Sequence, residues 1–173
     1  MRHFYILILA AIISFAHPHT YIDVYPTIHT KNQKITTIDF AWKIDEMTSS
    51  MLIMDFDQDC DGKINKQENN FIYNNYFKDL KEYSFYTDIK IKNKTISFPK
   101  IESFKTTIEN MRIVYSFSIK INTNIKDVKF DMYDEDFFIA MILKDEFIDC
   151  KDIKYKINEL DNDFYFGYEL EFN

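Results

Sequence analysis

A mainly β protein (α+β) is what this sequence predicts: an antiparallel β-sandwich or barrel with one helix–loop–helix unit inserted after its second strand. Three observations predict it. Apolar residues alternate with polar ones along most of the chain, the period of half-buried strands. One stretch, residues 45–82, changes to helical spacing. Inside it lies a twelve-residue acidic loop, residues 57–68, with one of the chain's two glycines at its centre.

The first sixteen residues have the plan of a secretory signal. Arg2 supplies the positive charge, residues 4–13 form an apolar run of ten, and Ser14-Phe15-Ala16 offers a small-residue cleavage site. Ten residues rise about 15 Å as a helix, short of a bilayer core, so cleavage after Ala16 is expected rather than anchoring. No later segment approaches the length of a transmembrane helix. The expected mature chain, residues 17–173, is a soluble periplasmic protein of one domain, because its length suits one core and not two.

Strands follow in order. Ile22, Val24 and Ile28 share one face of the first, opposite His19, Tyr21, Asp23 and Tyr25. Ile38, Phe40, Trp42 and Ile44 face inward from the second. Beyond the helical unit come Phe85, Ile89 and Ile91, then the cleanest alternation, Met111 to Ile121 in steps of two, then Val128, Phe130 and Met132. The unbroken apolar run 137–143 is expected to be buried on both faces. Ile153, Tyr155 and Ile157 precede Phe164, Phe166, Tyr168, Leu170 and Phe172. Polar breaks at Lys31-Asn32-Gln33, Lys92-Asn93-Lys94 and Asp161-Asn162-Asp163 predict hairpin turns. In the helical unit Met47, Met51 and Met54 recur at i, i+4 and i+7. Core packing of the entering helix is expected there, ahead of a soft-metal or partner groove.

Composition removes several functions. The formal charge is −7 with no basic stripe, which excludes a nucleic-acid partner. Gly62 and Gly167 alone cannot write a dinucleotide fingerprint, a P-loop or a nucleophile elbow, so the chain does not itself hydrolyse a nucleotide. Cys60 and Cys150 enter an oxidising compartment that permits a disulfide without requiring one, and two free thiols are the plainer outcome.

The acidic loop carries the clearest chemistry. Residues 57–68 match the twelve-position EF-hand pattern, an EF-hand-like unit for Ca²⁺. Asp57, Asp59 and Asp61 offer carboxylates, Gly62 the sharp turn, Lys63 its backbone carbonyl, and Asn65 a ligand direct or through water. Glu68 supplies two oxygens from the exiting helix, and Ile64 anchors the loop on apolar neighbours. A lone loop outside the cell suits a structural clamp better than a switch.

A second candidate lies at the mature N-terminus. Cleavage after Ala16 gives His17 a free α-amine beside its imidazole, and His19 follows on the same strand face. Amine and imidazole nitrogens suit Ni²⁺, Co²⁺, Zn²⁺ or Cu²⁺. Pro18 lacks the amide proton needed for a square-planar terminal chelate. His29 joins only if the strand bends at Pro26. An enzyme holding copper through His17 needs a further histidine, and only His19 or a bent-back His29 could serve, so no enzyme is expected.

Taken in order, His17-Pro18-His19 after the signal, Ile22-Asp23, Trp42-x-Ile44-Asp45-Glu46, the 57–68 loop, and Tyr133-Asp134 before Phe137-Phe138 resemble the domain of unknown function 1007 family. The similarity spans essentially the whole mature chain. It departs at Ile44, where the family often has Phe, and at Cys60, where it commonly has a small residue. The resemblance implies an exported component of an ABC-type transport system, working beside a nickel/cobalt membrane permease as partner. The expectation is therefore a metal-binding accessory of a transition-metal transport system, stabilised by Ca²⁺. The alternative is a calcium-stabilised interaction module with no transition-metal role.

Overall fold

The computed structural model describes residues 19–151, 153–161 and 165–173, and ten strands among them form two five-stranded sheets. In the first sheet β1 (Thr20–Lys31) pairs antiparallel with β2 (Lys34–Ile44), as the alternation of both runs predicts. β3 (Thr87–Ile91) and β4 (Lys94–Ile96) start the second sheet. β5 (Ile101–Glu109) and β6 (Arg112–Asn124) extend the first through β2, and β7 (Val128–Tyr133) extends the second through β3. β8 (Ile139–Ile142) joins β1, while β9 (Tyr155–Asp161) and β10 (Phe166–Phe172) complete the second sheet. The orders are β5-β6-β2-β1-β8 and β4-β3-β7-β10-β9.

Three hairpins turn on two residues that both have positive φ: Asn32-Gln33, Lys92-Asn93 and Asn110-Met111. Such turns match the twist of the flanking strands, and asparagine tolerates the left-handed region where this glycine-poor chain offers no glycine. Buried residues of both sheets join one cluster, with Ile38, Trp42, Phe117 and Ile119 from the first and Ile89, Phe130, Met132 and Leu170 from the second. The alternate positions of the second sheet carry charge, with Lys90 paired to Asp131 and Lys129 to Glu171 at 2.6 Å.

Several expectations are corrected. Each sheet order is open, with edges at β5 and β8 and at β4 and β9, so the barrel alternative is not formed. The pairing is not wholly antiparallel, since β8 lies parallel to β1. Because β8 is a short edge strand, the run 137–143 is not buried on both faces, and Phe138 is 57% exposed. Met111 sits in the β5–β6 turn, exposed, rather than opening the strand. β4 and β5 have no clear apolar alternation, and β5 buries only Thr106.

Helices lie between β2 and β3, where helical spacing places them. α1 (Glu46–Phe56) starts at Asp45, whose Oδ1 accepts the Thr48 N–H at 3.0 Å. α2 (Lys66–Ile72) starts at Asn65 and runs on through a π-helical turn, Tyr73–Phe77, and a 3-10 segment, Lys78–Tyr86. α1 seats on the first sheet through Ser49, whose hydroxyl donates to the Ile44 carbonyl and accepts the Ile113 N–H. α2 seats through Asn69, whose Oδ1 accepts the Thr106 N–H at 2.6 Å. Met47, Met51 and Met54 do not pack into the core. They are 68%, 55% and 77% exposed, and Ser49 and Phe56 are the residues α1 buries.

Candidate metal centre

The segment from Asp57 to Asn65 joins α1 to α2. Asp57, at the C-cap of α1, is buried, and its two oxygens accept the N–H groups of Asp61 at 3.1 Å and Gly62 at 2.9 Å. Asp59 accepts the Asp61 N–H, and Asp61 accepts the Lys63 N–H. These bonds wind the chain so that Asp57, Asp59 and Asp61 bring one carboxylate oxygen each within 4.8 Å of one another, the acidic cluster of this protein among its described residues. Gly62 has φ +80 and open space where a Cβ would stand, so the backbone angle requires the glycine.

Asn65 and Glu68 lock the far side as a capping box. Asn65 Oδ1 accepts the N–H groups of Gln67 and Glu68, and its Nδ2 donates to Asp59 at 3.2 Å. Glu68 is buried. Its Oε2 accepts the Asn65 N–H and its Oε1 accepts the Gln58 N–H, both at 2.8 Å. Glu68 thus reaches across the loop, while the convergent cluster consists of the three aspartates. Cys60, at φ 57, is exposed and Cys150 half-buried, both free thiols, so no bridge ties the loop to the sheet.

Residues 1–18 lie outside the described residues, and with them the expected export signal and His17. His19 is exposed just before β1. Its N–H donates to the Phe138 carbonyl at 2.9 Å and its ring stacks on that of Phe138 at 5.9 Å. β1 does not fold back at Pro26, so His29 stands about 33 Å along the strand from His19. The His29 imidazole is engaged by Asp39, Nε2 to Oδ2 at 2.7 Å, and takes no part in an N-terminal cluster.

Sequence reasoning missed what holds His19. Asp134 is buried and its carboxylate accepts the N–H groups of Asp136, Phe138 and Ile139, fixing the turn whose Phe138 carbonyl receives His19. An acid opening a short polar break was the available signal. The same turn borders a cavity of about 280 Å³ lined by Tyr83, Tyr86, Tyr133, Asp88, Glu135 and Asp136 among others. Burial pushes the Tyr86 hydroxyl up to about 12, reinforced by Asp134. Burial also raises Tyr133, helped by its 2.9 Å bond to Asp88. Both phenols therefore stay protonated at neutral pH.

No helix among the described residues is long and apolar enough to cross a membrane. A family model described as a protein of unknown function (DUF1007) matches residues 3–156. An uncharacterized protein of Haemophilus influenzae is 28% identical over 152 residues, covering 79% of this chain and 69% of that protein. An uncharacterized 15.5 kDa protein in the trpE 3′ region of Spirochaeta aurantia is 26% identical over 95 residues, 53% of this chain and 67% of that protein.

Proposed function

The chain belongs to the DUF1007 family, and we propose that it is an exported metal-binding accessory of a transition-metal transport system, its β-sandwich clamped by one EF-hand Ca²⁺ site. The observation that carries this reading is the convergence of Asp57, Asp59 and Asp61 within 4.8 Å. Ca²⁺ takes six to eight oxygens, and Lys63, Asn65 and Glu68 stand in the positions that would complete the shell. Glu68, whose oxygens accept the Gln58 and Asn65 N–H groups, would supply carboxylate oxygens to the ion.

The transition metal, Ni²⁺, Co²⁺, Zn²⁺ or Cu²⁺, would be held by the His17 amine and imidazole with His19. Support comes from the placement of His19: exposed, on a strand start fixed by the Asp134 turn, with neither ring nitrogen hydrogen-bonded among the described residues. Glu135 and Asp136 on that turn add negative charge. A membrane permease is the partner implied by the family resemblance. Tyr21 and Phe138, 47% and 57% exposed at the same end of β1, favour the second reading, a calcium-stabilised interaction module.

Calorimetry on a mature chain beginning at His17 tests both arms. One Ca²⁺ binds, and Glu68→Gln removes that step alone. One Ni²⁺, Cu²⁺ or Zn²⁺ binds elsewhere and weakens as pH falls, because protons compete for its nitrogen donors. One extra residue before His17, or His17→Ala, or His19→Ala, weakens only the transition-metal step. If those three variants titrate like the parent, the N-terminal site is wrong and the interaction module takes its place.

A further inference from the structure

Helix α1 has two apolar stripes and the core uses one. Ser49, Leu52, Ile53 and Phe56 recur at i, i+3, i+4 and i+7 and face the protein, Ser49 and Phe56 fully buried. Met47, Met51 and Met54 lie on the opposite side within about 60° of arc, all more than half exposed. Successive members of the set have Cβ atoms about 5–6 Å apart. Met47 and Met54 are two turns apart, too far to share one ion with each other, but each is about one turn from Met51, which can pair with either. Residues 45–62 around them include six Asp or Glu and no Lys or Arg.

We propose that this face is a site for one soft monovalent cation, Cu(I), held by the thioether sulfur of Met51 together with that of Met47 or Met54, the ion exchanging between the two pairs. Thioethers select Cu(I) over the hard or borderline divalent ions that carboxylate and imidazole prefer. The acids of α1 favour any cation electrostatically, and the sulfurs decide which one is retained. Asp45 and Glu46 lie at the N-terminal end of the stripe and Asp55 beside Met54. Unlike an amine or an imidazole, a thioether carries no proton to lose, so binding here persists at pH 5. The site rests on neither the calcium loop nor His17 and His19, and it gives the protein a reservoir of different chemical preference on the same export route.

Silver(I), which has the same ligand preference and no redox chemistry here, is the probe. It is titrated as the nitrate, in chloride-free acetate at pH 5, into mature protein carrying Cys60→Ser and Cys150→Ser, with methionine methyl signals followed by NMR. The expected result is that the Met47, Met51 and Met54 methyls shift together and stop at one equivalent. Met111, exposed elsewhere, and the buried Met132 and Met141 stay in place. Replacing the three by leucine keeps volume and helix propensity at exposed positions and should weaken Ag(I) at least ~100-fold with an unchanged melting temperature. Absence of methyl shifts, Met111 moving in step with the three, or undiminished binding by the leucine variant overturns the proposal. None of these outcomes bears on the calcium or N-terminal titrations, so the two readings fail separately.

Discussion

The two glycines answer opposite demands. Gly62 is required for its angle, φ +80 in open space, whereas Gly167 is required for room, since a Cβ there would stand 2.2 Å from the Met132 carbonyl oxygen. Cys60 occupies a third special position, left-handed at φ 57, with a residue that carries a Cβ. Such a residue costs about 1–2 kcal/mol in that region. Cys60→Gly should therefore stabilise the protein by about 0.5–1 kcal/mol after the added unfolded-state entropy, read as a higher urea midpoint at an unchanged slope. A lower midpoint would mean that the thiol makes a contact worth more than the backbone strain. The convergence of Asp57, Asp59 and Asp61 was legible at this scale because three aspartates spaced by two, followed by a glycine, leave one compact turn to close. His29 was not, because its partner Asp39 is a diagonal neighbour across β1 and β2, and register decides that pairing. The strain at Cys60 was equally invisible, since nothing in a cysteine declares its φ.

At the scale of elements, periodicity located α1 but misread its inward side. Both stripes of the helix have an apolar period, and the methionine spacing of i, i+4 and i+7 points to the wrong one. Asp45 fixes where the helix begins, and Ser49, bonded to Ile44 and Ile113, turns its own stripe with Phe56 to the sheet. One Asp45 oxygen caps the Thr48 N–H and the other accepts the Tyr21 N–H at 3.0 Å, tying α1 to the start of β1. Asp45→Ala should cost about 1–2 kcal/mol, and Asp45→Asn clearly less because it keeps the cap. Burial pushes the Asp45 carboxyl up, but the bonds from Thr48 and Tyr21 outweigh it and its value is lowered. A lowered folded value gives stability that is present above the unfolded value of about 3.9 and lost as pH falls through the folded one. Denaturation of Asp45→Ala against the parent should thus show a full gap from pH 5 to 7 that narrows below about pH 4. A gap of constant size down to about pH 3 would remove the carboxylate from the account.

For the whole molecule, the alternation of β1, β2, β6, β7 and β10 was readable, but their division between two sheets was not. Strand order depends on pairings such as β1 with β8, more than a hundred residues apart, and no local pattern encodes them. The polar edge strands β4 and β5 left no periodic signal at all. This long-range architecture determines what the acidic loop does for stability. The loop is no appendage: α1 is fastened to the first sheet by Ser49 at Ile44 and Ile113, and α2 by Asn69 at Thr106. Asp57 and Glu68, one from each helix, are buried, 8% and 3% exposed, and each carboxylate is held by backbone N–H groups of the loop. A cation bound there, as proposed, would stabilise the native state of the entire core and not just one turn. At a hundred times its dissociation constant the gain is about 2.7 kcal/mol. For a chain of this size that corresponds to a rise in melting temperature of roughly 5–11 °C. Calorimetric melting in calcium and in chelator should differ by this amount in the parent and by little in Glu68→Gln. Asn69→Ala loosens α2 from β5 without touching a ligand, so it should lower both melting temperatures and preserve the difference between them. Coincident melting curves for the parent in calcium and in chelator would sink the clamp, and a difference abolished by Asn69→Ala would place its effect in helix docking rather than in the ion.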